Sequence, residues 1–145
     1  MYCVYIEVIA KQPLTHVHGR ITNLHAKFKF RKIYLDETGM GSGPTDYLKE
    51  QLGGIIEPVT FTIPSKMDIY SNLKVLMQNG RIKLPPDKKL VYQLKELMYE
   101  TTSSGQLKIH HRERGHDDLP DALALAAYHF KPQRRSMGVV YVKKR

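Results

Sequence analysis

The stretch from His116 to Ala126 reads His-Asp-Asp-Leu-Pro-Asp-Ala-Leu-Ala-Leu-Ala, and it decides how the rest of the chain is read. It places three carboxylates and a histidine at the mouth of a helix built from small and apolar residues. Asp118 and Asp121 are three positions apart, so on a helix they share a face and can hold one cation between them. The same D-x-x-D pattern is also a helix-capping signature, with Asp118 as N-cap and Leu119 and Pro120 opening the first turn. Some eighty residues earlier, Ile33-Tyr34-Leu35-Asp36-Glu37-Thr38-Gly39 predicts a short buried strand that ends on a carboxylate, where α/β folds place their chemistry. Taken alone this is an ordinary strand-to-turn exit. Acids arriving from a strand end and from a helix start together predict a divalent-metal site.

In this order and spacing, the DETG and HDDxxDALALA elements resemble the C-terminal nuclease domain of phage terminase large subunits, an RNase H-like fold related to RuvC-type resolvases. The resemblance runs from about Met1 to Phe130. Its less specific parts are Phe61-Thr62, Lys66, Asn72-Leu73-Lys74 and the run from Asn79 to Pro85. It implies an α/β fold, an RNase H-like mixed sheet flanked by helices, with residues 1–130 as a partial nuclease domain and 131–145 as a basic C-terminal tail. It further implies a metal-dependent DNA endonuclease, using Mg²⁺ or Mn²⁺ in a two-metal site, that acts in viral or prophage DNA packaging.

The roles carried by the resemblance are specific. Asp36, Asp118 and Asp121 are the expected catalytic acids, Asp121 as a co-ligand one turn further on, and Asp117 joins them in the expected metal site, ligating or orienting. Glu37 is a neighbour or substitute ligand, and His116 a hydrogen-bonding partner of a ligand or of the attacking water. Oxygen ligands suit hard cations. His110, His111 and His116 lack the paired-Cys or HExxH spacing of a zinc site.

The chain departs from the family pattern at its start. The first strand of such nucleases carries an essential aspartate, and no acid upstream of Asp36 lies in a matching motif; Glu7 is the only acid there. The expectation is therefore an N-terminally truncated fold with an incomplete two-metal site, weak activity alone, and an uncovered strand edge open to pairing with another chain. The expected partners are duplex DNA and the rest of a terminase (ATPase domain, small subunit, portal), or a second copy of the chain. Two alternatives are a catalytically inactive remnant that binds DNA or a partner, and a RuvC-like resolvase.

Composition agrees with one intracellular domain in the cytoplasm of the host. The chain has 145 residues, 41% of them hydrophobic, enough for one core. The lone Cys3 excludes an intrachain disulfide framework. The apolar opening is about ten residues and contains Glu7, well below the roughly 20 that span a bilayer, so no membrane partner and no signal peptide are expected.

Periodicity predicts strands at Tyr2–Ala10, Ile33–Asp36, Ile55–Thr62, Arg81–Leu84 and Leu107–His111. Helices are predicted at Thr15–Phe28, interrupted at Gly19, at Thr45–Leu52, at Ser65–Gln78 with Ile69, Leu73, Leu76 and Met77 inward, and from Pro85 to Tyr99. Arg81–Leu84 and Leu107–His111 are expected to pair as an auxiliary element. The Gly-rich run Gly39–Gly43 lacks a following Gly-Lys-Ser/Thr and is not a Walker A loop.

Net charge is +9, from 23 Lys and Arg against 14 Asp and Glu. No acid follows Asp121, and Lys131, Arg134, Arg135, Lys143, Lys144 and Arg145 are the expected phosphate-binding residues. Binding to duplex DNA is therefore expected to be independent of sequence and to weaken steeply with salt. Removing Lys143 to Arg145 should lower both the affinity and the slope of a salt titration; an affinity flat from low to moderate salt would contradict the electrostatic origin.

Overall fold

Helix formation begins where the apolar spacing starts. α1 (Leu14–Phe28) runs through Gly19 without a break and closes on Lys29, which takes a left-handed conformation. Its apolar side is only half-buried, and its one buried residue is His18, stacked on Tyr47 at 4.9 Å. β1 (Ile33–Asp36) follows as predicted, and α2 (Gly43–Leu52) opens with Pro44 in its first turn. The computed structural model describes residues 1–39, 41–111 and 117–130.

β2 (Ile56–Val59) pairs in parallel with β1, with Ile33 opposite Ile56 and Asp36 opposite Val59. Pro58 is tolerated because β2, among the described residues, is an edge strand with one side free of ladder bonds. α3 (Ile63–Gln78) is started by a capping box in which Thr62 and Ser65 each satisfy the other's backbone N–H. α4 (Lys88–Lys95) is capped by Asp87, whose side chain accepts from the Leu90 N–H. β3 (Leu97–Thr101) and β4 (Leu107–His111) form an antiparallel hairpin, and α5 (Asp118–Ala127) completes the described chain.

Several expectations are corrected. Tyr2–Ala10 forms no strand: Tyr2 makes a single parallel bridge to Lys83, and Val4 and Val8 are 75% and 54% exposed. A strand needs a neighbour along its length, and beyond the contacts of Met1 and Cys3 with Lys83 this segment has none among the described residues. Arg81–Leu84 likewise yields only that bridge, so β4 pairs with β3 and not with it. The helix predicted to reach Tyr99 ends at Lys95, because Leu97–Thr101 gains a full antiparallel register with β4, with Tyr99 opposite Ile109. Gly105, at φ +81°, makes the connecting turn. In α3, Tyr70 is buried at 4% exposure, whereas Met77 is 42% exposed. The α/β fold class is as expected, and its described strands lie in two small sheets, parallel β1–β2 and antiparallel β3–β4.

The core gathers around α3 and α5, with Ile69, Leu73, Leu76, Leu90, Ile109 and Leu123 buried together. α5 packs against α3, α4 and β1, and polar side chains fix both of its ends. The Leu119 N–H, in its first turn, donates to buried Gln93 Oε1 at 3.0 Å, and Asn72 Nδ2 donates to the Ala127 carbonyl at 2.9 Å. These are backbone groups that a helix terminus leaves without a partner inside the helix. Among the described residues, no helix is long and apolar enough to cross a membrane.

Gln93→Leu keeps most of the buried volume but strands the Leu119 N–H. It is expected to lower the unfolding free energy by about 1–3 kcal/mol in urea titration. Tyr92→Phe, on the exposed side of the same helix, should change little.

Candidate metal centre

Asp36 ends β1 and is exposed. Its Oδ1 accepts from the Thr38 N–H at 2.8 Å, a short local turn, and Thr38 Oγ1 accepts from the Phe61 N–H at 2.8 Å. The turn after β1 is thereby tied to the segment entering α3, which fixes where the Asp36 carboxylate leaves the sheet. The Glu37 N–H donates to the Val59 carbonyl at 2.9 Å and extends the β1–β2 ladder by one step.

Asp118 is the first residue of α5 and not its cap. Asp117 stands at the N-cap position, but its side chain makes no capping hydrogen bond. Capping therefore does not account for this cluster of acids. Asp118 is exposed, and its carboxylate has no partner among the described residues.

Asp36, Asp118 and Asp121 line one cavity of about 770 Å³ between β1 and α5. On α5 it is lined by the stripe Asp118, Ala122 and Ala126, spaced one helical turn apart, and Phe30, His129 and Phe130 also line it. Glu37 is not part of this lining. Asp117 lines a different cavity of about 270 Å³, with Lys66, Lys108, His110 and His111.

Asp117 and Asp121 meet through a third residue. Lys66 Nζ donates to Asp117 Oδ2 at 2.7 Å and to Asp121 Oδ2 at 3.1 Å. Tyr70 Oη donates to Asp121 Oδ1 at 2.5 Å. All of these groups are less than one-fifth exposed or buried. Burial raises the Asp121 pKa above the ordinary carboxylate value, against the opposing pull of the Tyr70 hydrogen bond and the Lys66 charge. Burial alone would lower the Lys66 pKa, but its hydrogen bond to Asp117 and the attraction of Asp121 carry it above the usual lysine value. Burial also raises the Tyr70 phenol, which stays protonated as a donor.

Sequence reading did not assign Lys66 or Tyr70 a role. Their i, i+4 spacing on α3, next to inward-facing Ile69 and Leu73, was the available signal. Glu7 is held on the surface by Arg20 at 2.8 Å and by the Tyr5 hydroxyl, and it lines neither of the cavities that contain the aspartates. His116, Lys131, Arg134, Arg135, Lys143, Lys144 and Arg145 lie outside the described residues.

The donor set is all oxygen and anionic, which suits a hard divalent cation. Asp36 and Asp118 keep carboxylate oxygens available toward the common cavity. No preformed group of three or more ligating side chains exists among the described residues. The chemistry therefore fits such an ion, with two protein carboxylates available in place of a closed cage.

An acid at the end of a parallel strand and another at the head of a helix, lining one cleft, is the arrangement of an RNase H-like nuclease fold. The chain belongs to the family described as the terminase RNase H-like domain, whose model matches residues 6–130. It is 32% identical over 109 residues to the terminase large subunits of Thermus phage G20c and Thermus virus P23-45, covering 74% of this chain and 22% of each of theirs. Among solved structures it is similar to the large terminase nuclease of phage G20c with bound cobalt (28% identity, TM-score 0.72, covering 82% of this chain and 63% of that one). It is similar also to the same nuclease with bound magnesium (28% identity, TM-score 0.71, 80% and 61%). A further similar structure is the nuclease domain of the Thermus phage P74-26 large terminase (27% identity, TM-score 0.67, 81% and 60%). The chain thus spans about a fifth of the curated relatives and under two thirds of the solved nuclease chains.

Replacing Tyr70 by Phe removes a donor from a half-buried carboxylate. It is expected to reduce stability by about 1.5–3 kcal/mol. In a double-mutant cycle with Asp121→Ala most of that loss should vanish, as read by chemical denaturation.

Proposed function

We propose that this chain forms part of a divalent-metal-dependent endonuclease that hydrolyses duplex DNA during viral genome packaging. The observation that carries the reading is the common cavity of Asp36 and Asp118, two exposed carboxylates brought together from a strand end and a helix start. The magnesium and cobalt found in the similar terminase nucleases support a divalent cation, and Mn²⁺ is a suitable probe of the same coordination chemistry. When bound, such an ion supplies Lewis-acid stabilisation of the phosphoryl group and activation of water.

In this reading Asp36 and Asp118 hold the ion, and the Thr38 and Phe61 hydrogen bonds keep Asp36 directed out of the sheet. Lys66 and Tyr70 position Asp121 and Asp117 at the head of α5. Glu37 and His116 are supporting groups, and the basic residues from Lys131 to Arg145 bind phosphates. The surplus of positive charge draws the DNA backbone toward a site whose own acids would repel it.

Among the described residues no strand lies on the edge of β1 away from β2, and the cavity beside β1 is bordered by the small side chains of Ala122 and Ala126. A second cavity of about 340 Å³ on the other side of the same two alanines reaches Tyr2, Tyr5 and Phe28. We read this space as the seat of further strands that complete the sheet and bring another carboxylate to the metal. The other terminase parts, an ATPase domain, small subunit and portal, are the partners expected of the whole protein.

Titration with Mn²⁺ should raise the melting temperature of the chain, and an Asp36→Ala, Asp118→Ala double variant should lose the effect; no shift at millimolar Mn²⁺ speaks against the site. Plasmid incubated with Mn²⁺ should be nicked slowly by residues 1–145. A longer form that supplies the further strands should cut faster by orders of magnitude and lose cutting in Asp118→Asn. Brisk cutting by residues 1–145 that survives Glu7→Gln but not Asp36→Ala would show that the present acids suffice.

A further inference from the structure

The four aspartates near the head of α5 and the end of β1 do not stand in equivalent environments. Asp36 and Asp118 are exposed with oxygens to offer, whereas Asp117 and Asp121 converge on one point already filled by a cation. That cation is the Lys66 ammonium, 2.7 Å from one carboxylate oxygen and 3.1 Å from the other. Oxygen ligands surround Mg²⁺ or Ca²⁺ at about 2.0–2.6 Å, so the two oxygens stand a few tenths of an ångström to an ångström from where they would grip a divalent ion.

We propose that Lys66 is the resident cation of the Asp117–Asp121 pair and excludes a divalent ion from it, so that metal is confined to the Asp36–Asp118 side of α5. Three features of the structure support this. The Lys66 side chain is 18% exposed and reaches the pair from α3, a different element from the one that carries the acids. It is flanked by the faces of Phe61 and Tyr70, at 5.3 and 5.7 Å from the ring centroids, which favour a cation at that spot. Tyr70 donates to the second oxygen of Asp121, so each oxygen of that carboxylate already has a donor with which a metal would have to compete.

A single positive charge shared by two carboxylates leaves the trio at net −1. The exclusion works because the ammonium already fills the bridging position and is tethered to the fold, whereas an ion from solution must first lose water. Removing the positive charge leaves two carboxylates close together, one of them 18% and the other 19% exposed. Like charges held that close are relieved by binding a divalent ion. Lys66 is thus a positioning and specificity residue, acting through the two aspartates. This inference rests on the metal-site reading only for where the other ion goes, and it is testable without it.

The experiment measures Mn²⁺ binding by thermal shift, each protein referred to its own metal-free melting temperature, for the 145-residue chain and its Lys66→Met, Lys66→Gln and Lys66→Arg variants. The two neutral variants are offered together because glutamine can still hydrogen-bond if methionine proves too unstable. Both are expected to bind Mn²⁺ about tenfold more tightly than the parent, through the added ligand charge. Lys66→Arg should follow the parent, and Asp121→Asn should cancel the gain in the neutral background. A parent without response beside neutral variants that bind would uphold the exclusion and defeat the Asp36–Asp118 metal reading. A parent that binds beside neutral variants that bind equally or more weakly would overturn the exclusion and leave that reading intact. Absence of binding in all of them would overturn both.

Discussion

The docking of α5 against α3 is the constraint on which the rest of this structure depends. α5 is rich in alanine and leucine and contributes Leu119, Leu123, Ala124 and Ala127 to the core, yet its N-cap and first turn together carry three carboxylates. An apolar helix with an acidic head can pack closely only if the head finds donors. α3 provides them through Lys66 and Tyr70, while Gln93 of α4 and Asn72 of α3 satisfy backbone groups at the two ends. Desolvating an unpaired carboxylate would oppose the hydrophobic gain of burying the helix, so polar and apolar contacts have to be made together.

The same docking sorts the acids. Asp117 and Asp121 are held by Lys66 of α3 and become part of the packing, with Asp121 also bordering the cavity beside β1, while Asp118, on the next stripe round the helix, faces that cavity without such a partner. A helix advances about 100° per residue, so neighbours in sequence meet different surroundings. The strand pair β1–β2 then needs only to deliver Asp36 from its C-terminal end, and the Asp36–Thr38–Phe61 hydrogen bonds hold that end in place. Structural and chemical roles are divided among residues that look alike in the sequence.

Little packs on the remaining side of α5. Ala122 and Ala126 are exposed between two cavities, and among the described residues β1 has a free edge and Val4 and Val8 are exposed in a segment that pairs only near its start. Small side chains allow a neighbouring backbone to approach closely, and a free strand edge carries unpaired N–H and C=O groups. The two cavities share Phe30, Ala122 and Ala126, and the larger of them is also lined by Asp36 and Asp118.

By itself the sequence determined the local elements whose signals are short-range. The β-branched and aromatic run ending at Asp36, the acid-headed helix from Asp118 and the interior of α3 were legible because alternation, helical spacing and capping act within a few residues. The spacing of Leu90, Leu94, Leu97 and Met98 also fits a helix, and only pairing with Leu107–His111 converts its last part into β3. The strand expected at Tyr2–Ala10 failed for the converse reason: alternation prepares a strand, but hydrogen-bonding partners make one. The candidate acids could be named from their order along the chain. Their division into an exposed pair and a pair held by Lys66 was decided by tertiary structure, because Lys66 lies 51 and 55 positions from Asp117 and Asp121 and meets them only when α3 and α5 pack.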